Sequence, residues 1–368
     1  MLRKSICLLF LLCLIPISGC GDQRILEKLG FIQTVSYDLR PDNKLAVSFS
    51  IPQADPETSA KREVLSAIAA TSKEATMLIS RETGMMVVSG QLRNVLFSQD
   101  MAAIGLHGHL DTLYRDPSIS SQVKISIVEG SAGELLSEDY KQHPRTGRYI
   151  DLLLKKEAMG QTIPRVTLFT FARDYFDHGT DPVAPILKQH ENKYIKTNGI
   201  ALFKDDRYVA KIEPENALIF AFLKDSFREG QISLDLAETN GEKEVVMFSS
   251  LISSRKVKVI HDAEGAKKVT FHVKISGSVL EYIGEARLSN DRERHELERR
   301  ISKKISEKAD AMISLMKQHQ VDNLGIGRYV RNSIGYEQWK KINWREELQK
   351  LPVECSFDVK IKDYGKFR

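Results

Sequence analysis

Arg292 to Gln318 reads RERHELERRISKKISEKADAMISLMKQ. Leu297, Ile301, Ile305, Ala309, Met312 and Met316 recur every three or four residues and make one apolar stripe, while Arg, Lys and Glu fill the other faces. That period predicts a long amphipathic helix laid on a core rather than a free coiled coil. Asn290 with Glu293 three residues later predicts a capping box at its start. Upstream, Val269, Phe271, Val273 and Ile275 alternate; downstream, Val353, Cys355, Phe357, Val359 and Ile361 do the same. Alternation places one face of each strand toward a core, so this block is predicted to be a sheet covered by helices.

Working toward the N-terminus, Gly199 to Phe203, the turn Lys204-Asp205-Asp206 and Tyr208 to Ile212 predict a hairpin, followed by an apolar helix over Glu215 to Phe227. Ile232 to Leu236, Val245 to Ile252 and Val257 to Ile260 are strand-like, and His261 to Gly265 turns the chain. Nearer the start, Phe31 to Tyr37 and Leu45 to Ile51 form a hairpin pattern, and Glu63 to Ala70 is strand or irregular. A helix is expected from Ser72, as N-cap, to Arg81, stopped by Gly84. Then come a strand at Leu92 to Phe97, a helix at Gln99 to Tyr114, strands at Val123 to Val128 and Arg165 to Phe171, and a short helix at Pro182 to Lys188. The polar run Gln189 to Asn198 is expected to end the first domain. The fold class is therefore α+β: three mixed α/β domains, each a largely antiparallel or mixed sheet with helices packed on it. The expected boundaries are residues 20–195, 196–250 and 251–368, with 196–368 together forming a C-terminal region.

The first residues are a different kind of segment. Met1-Leu2-Arg3-Lys4 is a short basic region, Ile6 to Ile17 is apolar apart from Pro16, and Ile17-Ser18-Gly19-Cys20 closes it. This is the layout of a secretory signal peptide over residues 1–19. About a dozen apolar residues are too few to cross a bilayer core, which needs about 20 as a helix. Ile-Ser-Gly-Cys resembles the bacterial lipobox, which predicts lipidation at Cys20, with a thioether-linked diacylglycerol and an N-palmitoyl group. Two or more acyl chains would hold the protein firmly on a membrane.

Composition narrows the function classes. Hydrophobic residues make up 42% and charged ones 28%, enough apolar material for real cores. The formal charge of +5 drops to +3 once Arg3 and Lys4 leave, too small an excess to make nucleic acid the partner. With Cys7 and Cys13 in the signal segment and Cys20 lipidated, only Cys355 remains, so neither an intrachain disulfide nor a Cys-based zinc site is expected.

Three segments carry residue types that can do chemistry. His107-Gly108-His109-Leu110-Asp111 resembles the H-x-H-x-D segment of metallo-hydrolases, but Thr112 stands where a further His belongs, and on a helix His109 is turned away from His107 and Asp111. Asp322-Asn323-Leu324-Gly325-Ile326-Gly327 contains a G-x-G, yet it follows a helix and Val330 occupies the position of the third glycine, so a structural turn is expected. Trp339 and Trp344, flanked by Lys340 and Lys341, are expected to anchor a terminal helix by packing. Neither a G-x-S-x-G elbow nor a Walker A loop is present. No catalytic, cofactor-binding or metal-binding residues are therefore assigned, and the reading is of a non-enzymatic protein.

Taken in order, these pieces resemble the Ger(x)C family of spore germination lipoproteins, the C subunits of nutrient germinant receptors. The resemblance rests on Cys20, the run Gly90 to Ser98 followed by Met101-Ala102, Tyr114-Arg115-Asp116-Pro117, Gly130 to Leu136, Gly199 to Phe203, Asp322 with Gly325-Ile326-Gly327, Trp339-Lys340, Trp344 and Gly365. One departure lies at the anchor: the family commonly has Trp after the lipidated Cys, and this chain has Gly21. The resemblance implies three α/β-type domains and no known catalytic residues. It also implies assembly with A- and B-type membrane subunits on the outer leaflet of the spore inner membrane, and a part in the germination response to small nutrients. The competing readings are a solute-binding lipoprotein of a transporter and a metal-dependent hydrolase using His107, His109 and Asp111.

Overall fold

The structure, a computed structural model, describes residues 28–53, 61–191, 193–239, 242–262 and 265–365. Its centre is four parallel strands: β2 (Thr34–Leu39), β6 (Asn94–Ser98), β7 (Lys124–Glu129) and β8 (Val183–His190). Antiparallel neighbours extend both sides, β3 (Leu45–Pro52) and β4 (Arg62–Ala69) beyond β2, β9 (Tyr194–Lys204) and β10 (Arg207–Ile212) beyond β8. The result is a mixed eight-stranded sheet in the order β10-β9-β8-β7-β6-β2-β3-β4. Two short strands, β1 (Leu29–Phe31) and β5 (Met86–Val88), pair in parallel beside it.

Helices cover both faces, and the alternation of side chains along the central strands shows it. Val95 and Phe97 of β6 point into a core with Met101, Ala102, Leu110, Leu113, Leu168 and Phe171, which belong to α2 (Gln99–Ile104), α3 (His107–Arg115) and α6 (Leu168–Phe176). Leu96, between them, points the other way, into a core with Leu135, Leu136, Ile150 and Leu154 from α4 (Ala132–Ser137) and α5 (Thr146–Met159). Strands buried on both faces lose the polar half of their alternation. That is why Pro182 to Lys188, expected as a helix, is strand β8: Val183, Ala184, Ile186 and Leu187 are all buried.

Other differences have equally local causes. The strand expected at Arg165 to Phe171 is the start of α6, because Thr167 and Thr170 form a reciprocal capping box that opens a helix. The single helix expected over Gln99 to Tyr114 is two, broken at Gly105. Its φ is +120°, and a Cβ there would sit 2.7 Å from the Asp206 carboxylate. Helix α1 (Ser72–Ile79) is capped by Thr71, one residue before the expected Ser72, through the Thr71 hydroxyl and the Glu74 amide. The run Gln189 to Asn198 lies within the large sheet. It turns β8 into β9, so residue 195 lies within a strand of the large sheet.

The second layer is a four-stranded sheet, β11 (Ile232–Thr239), β12 (Glu242–Asp262), β13 (Gly265–Ile283) and β14 (Val353–Asp363) in that order. The two strands expected between Val245 and Ile260 are one strand, β12, with an irregular register near Ser250, whose φ is positive. Strands β13 and β14 run parallel, joined by a crossover containing α8 (Asp291–His319), α9 (Ile326–Ile334), α10 (Tyr336–Trp339) and α11 (Trp344–Lys350). Helix α8 is the predicted one, with Asn290 accepting from the Arg292 and Glu293 amides and the six stripe residues buried. The Glu293 carboxylate reaches the Arg287 amide, so only half of the expected capping box forms. Helix α8 also satisfies the outer edge of β14: Glu298 accepts from the Ile361 amide at 2.8 Å and Ser302 from Val359 at 3.3 Å.

Ile305, fully buried in the middle of the α8 stripe, sets a test of this packing. Ile305→Ala is expected to cost about 2–5 kcal/mol in urea denaturation. Lys303→Ala, at a position with 80% side-chain exposure, is expected to stay within about 0.5 kcal/mol of the parent.

Candidate functional site

Cys20, the expected lipid attachment point, lies outside the described residues. The three residues of the hydrolase reading fall near one another in sequence but not into one site. His107, exposed at the start of α3, packs its ring on Tyr175 at 5.5 Å. His109 points inward against Tyr37 and Phe97, and burial lowers its basicity. Asp111 pairs with Arg115 one turn on at 2.7 Å, which holds its carboxyl below the usual range. Among the described residues no three His, Cys, Asp or Glu side chains gather as a metal would require.

The densest polar construction lies where the two sheets meet. Asp322 is fully buried, and its carboxylate accepts four N–H groups: the amides of Gly325 and Ile326 at 2.8 Å, of Gly327 at 2.7 Å, and the Trp344 indole at 3.0 Å. The amides that a phosphate would need at the start of α9 are thus occupied by the chain's own carboxylate. Across the junction, the Asp322 amide donates to Asp181 Oδ2 at 2.7 Å, and its carbonyl accepts from the Asp181 amide at 2.8 Å and from the Thr180 hydroxyl. Asn323 donates to the carbonyls of Pro182 and Phe203, tying the loop to β8 and β9. Arg345 bridges Asp181 and Asp205, and Arg331 grips Asp177 with both terminal nitrogens. Close approach needs glycine on both sides: a Cβ on Gly327 would lie 2.8 Å from the Gly179 Cα. Trp339 and Trp344 are buried with ring centroids 5.4 Å apart, the packing role expected of them.

Beside this junction a cleft of about 280 Å³ opens between α6 and α7 (Ala217–Lys224). Phe171, Val183 and Phe220 give it an apolar lining, Arg165 and Arg173 are exposed, and the buried Asp174 pairs with Arg173 at 2.7 Å. Lys224 closes the inner end. Its ammonium donates to the Asn323 carbonyl at 2.6 Å, and burial draws it down to about 8. Sequence reading passed over this lysine and Asp181. The available signals were a single charge ending the apolar run Ala217 to Leu223, and an Asp immediately before a proline.

Comparison with known proteins fits this architecture. A family profile described as "Spore germination protein N-terminal domain" matches residues 22–189, and one described as "Spore germination B3/GerAC like, C-terminal" matches residues 198–365. The chain belongs to the Ger(x)C family of spore germination proteins. The spore germination protein GerQC of Bacillus cereus is 25% identical over 361 residues, covering 97% of this chain and 98% of that one. The putative spore germination protein YfkR of Bacillus subtilis is 23% identical, covering 99% and 98%. The crystal structure of the GerBC protein shares the fold, with a TM-score of 0.54 at 14% identity over 92% of this chain and 100% of that one. Asp322, Gly325, Gly327 and Trp344, among the residues on which the sequence resemblance rests, build the junction.

Burial pushes Asp322 up to about 6, and burial raises Asp181 as well. Between the ordinary carboxylate value near 4 and pH 6, the folded protein holds a proton at Asp322 that the unfolded chain releases. This contribution to stability is present below pH 4 and is lost as pH rises through 6. Asp322→Asn removes it along with the second acceptor oxygen. The variant is expected to be about 2–4 kcal/mol less stable at pH 5, with the gap narrowing toward pH 7, in urea titrations at stepped pH.

Proposed function

We propose that this Ger(x)C protein is the non-catalytic, lipid-anchored C subunit of a spore nutrient germinant receptor. In this reading Cys20 carries the lipid and holds the folded part on the outer leaflet of the spore inner membrane, beside A- and B-type membrane subunits. The carrying observation is the pair of family matches, which run in order from residue 22 to 365 and begin two positions after Cys20. No helix among the described residues is long and apolar enough to cross a membrane. The polar residues most heavily engaged are spent on joining the two sheets, which suits a subunit that positions partners rather than one that turns over substrate.

The test is capture of the tagged protein from detergent-solubilised spore membranes, with mass spectrometry of its partners and N-terminal peptide. A diacylated Cys20 together with polytopic A- and B-type subunits supports the proposal. A lipidated protein without such partners refutes the receptor assignment. Cys20→Ala is expected to lower the membrane-bound share about tenfold or more and to slow nutrient-triggered germination, because one lost anchor removes the whole acyl contribution.

A further inference from the structure

The cleft between α6 and α7 has a chemistry that the junction beside it does not use up. Lys224 ends a helix whose other residues are apolar; it is half-buried, and its ammonium turns onto the Asn323 carbonyl. An ammonium has three donors, and the hydrogen bond found for Lys224 uses one, on the Asn323 carbonyl. The carboxylates that attract Lys224, Asp174 and Asp322, spend their oxygens elsewhere, Asp174 on Arg173 and Asp322 on four N–H groups, and Asp225 accepts the Ser226 amide at 2.8 Å. Lys224 at the inner end therefore keeps ammonium donors to spare, and the exposed Arg165 lies at the mouth, with an apolar wall between them. At about 280 Å³ the space matches the lower end of small-molecule sites, which favour clefts between elements, apolar linings and a few converging polar groups.

We propose that this cleft binds a small organic carboxylate, its head on Lys224 and its apolar body against Phe171, Val183 and Phe220. A cation meets Lys224 at close range in a poorly solvated space and is excluded. A bare inorganic anion satisfies the head but leaves the apolar wall wet. A carboxylate with a compact hydrocarbon body satisfies both, and a charge-assisted hydrogen bond to a desolvated ammonium is about twice as strong as a neutral one. The site stands independently of the receptor assignment, since it rests on the geometry of the cleft alone.

The experiment uses the full chain in an uncharged detergent, titrated calorimetrically with sodium benzoate, benzamide and inorganic phosphate. Acetylation of Lys224 by a dilute amine-reactive reagent is followed in parallel by peptide mass spectrometry. Benzoate is expected to bind and to slow Lys224 acetylation at least about threefold, with benzamide about tenfold or more weaker, the loss of one charge-assisted bond. Lys224→Gln, which keeps an N–H for the Asn323 carbonyl, is expected to lower benzoate affinity about tenfold. Ala221→Trp, which fills the cleft and leaves Lys224 in place, is expected to abolish binding in a chain whose circular dichroism is unchanged. Equal binding of benzoate and benzamide, binding without protection of Lys224, or no binding overturns the proposal. Phosphate binding as tight as benzoate overturns the apolar half of it.

Discussion

A buried carboxylate surrounded by four N–H groups, Asp322, is the interaction on which the rest of this structure depends. An unpaired carboxylate in a protein interior is costly, and it becomes tolerable when hydrogen-bond donors replace the lost water. Here the donors come from the start of α9 and from the Trp344 indole of α11, so this one side chain ties the start of α9 to α11. The same residue's backbone pairs with Asp181 at the entry to β8. One position thereby sets the geometry inside the C-terminal half and its attachment to the large sheet. The apolar core agrees, running without a break from Val95 and Phe97 in β6 to Phe271 and Ile301 in the second layer.

The chain uses this device a second time. Asp38, at the end of β2, accepts the amides of Ala132 and Gly133 at the start of α4, each at 2.7 Å, while Ser131 caps the same helix. In both places an acidic side chain meets the positive end of a helix dipole, Asp38 from a strand far off in sequence and Asp322 from the loop that leads into its own helix. Gly130 to Leu136 and Asp322 to Gly327, two of the runs that carry the family resemblance, are the two places where a carboxylate locks a helix start.

How much of this was legible in the sequence follows from which forces act locally. The α8 stripe, its Asn290 cap and the alternating β13 and β14 were readable because each buries one face only. Strand β8 was misread because burial on both faces erases its alternation, and the start of α6 because its signal is a hydroxyl pair rather than an apolar period. The turn at Asp322 was recognised as structural, but its donors lie up to 22 residues away, and its partner Asp181 lies 141 positions back. Pairings of that range leave no periodic trace. Lys224 escaped for the same reason: its meaning comes from Asn323 and Phe171, which only the fold brings beside it. The metal reading of His107, His109 and Asp111 failed on geometry that was partly foreseeable, since helical spacing already turned His109 away.

The family matches divide this chain near residue 190, whereas the large sheet and the Asp322 junction run through that division. The two halves should then unfold as one cooperative unit, which differential scanning calorimetry of the full chain can show. A single transition whose calorimetric and van't Hoff enthalpies agree is expected. Two separable transitions, one for each half, would contradict it.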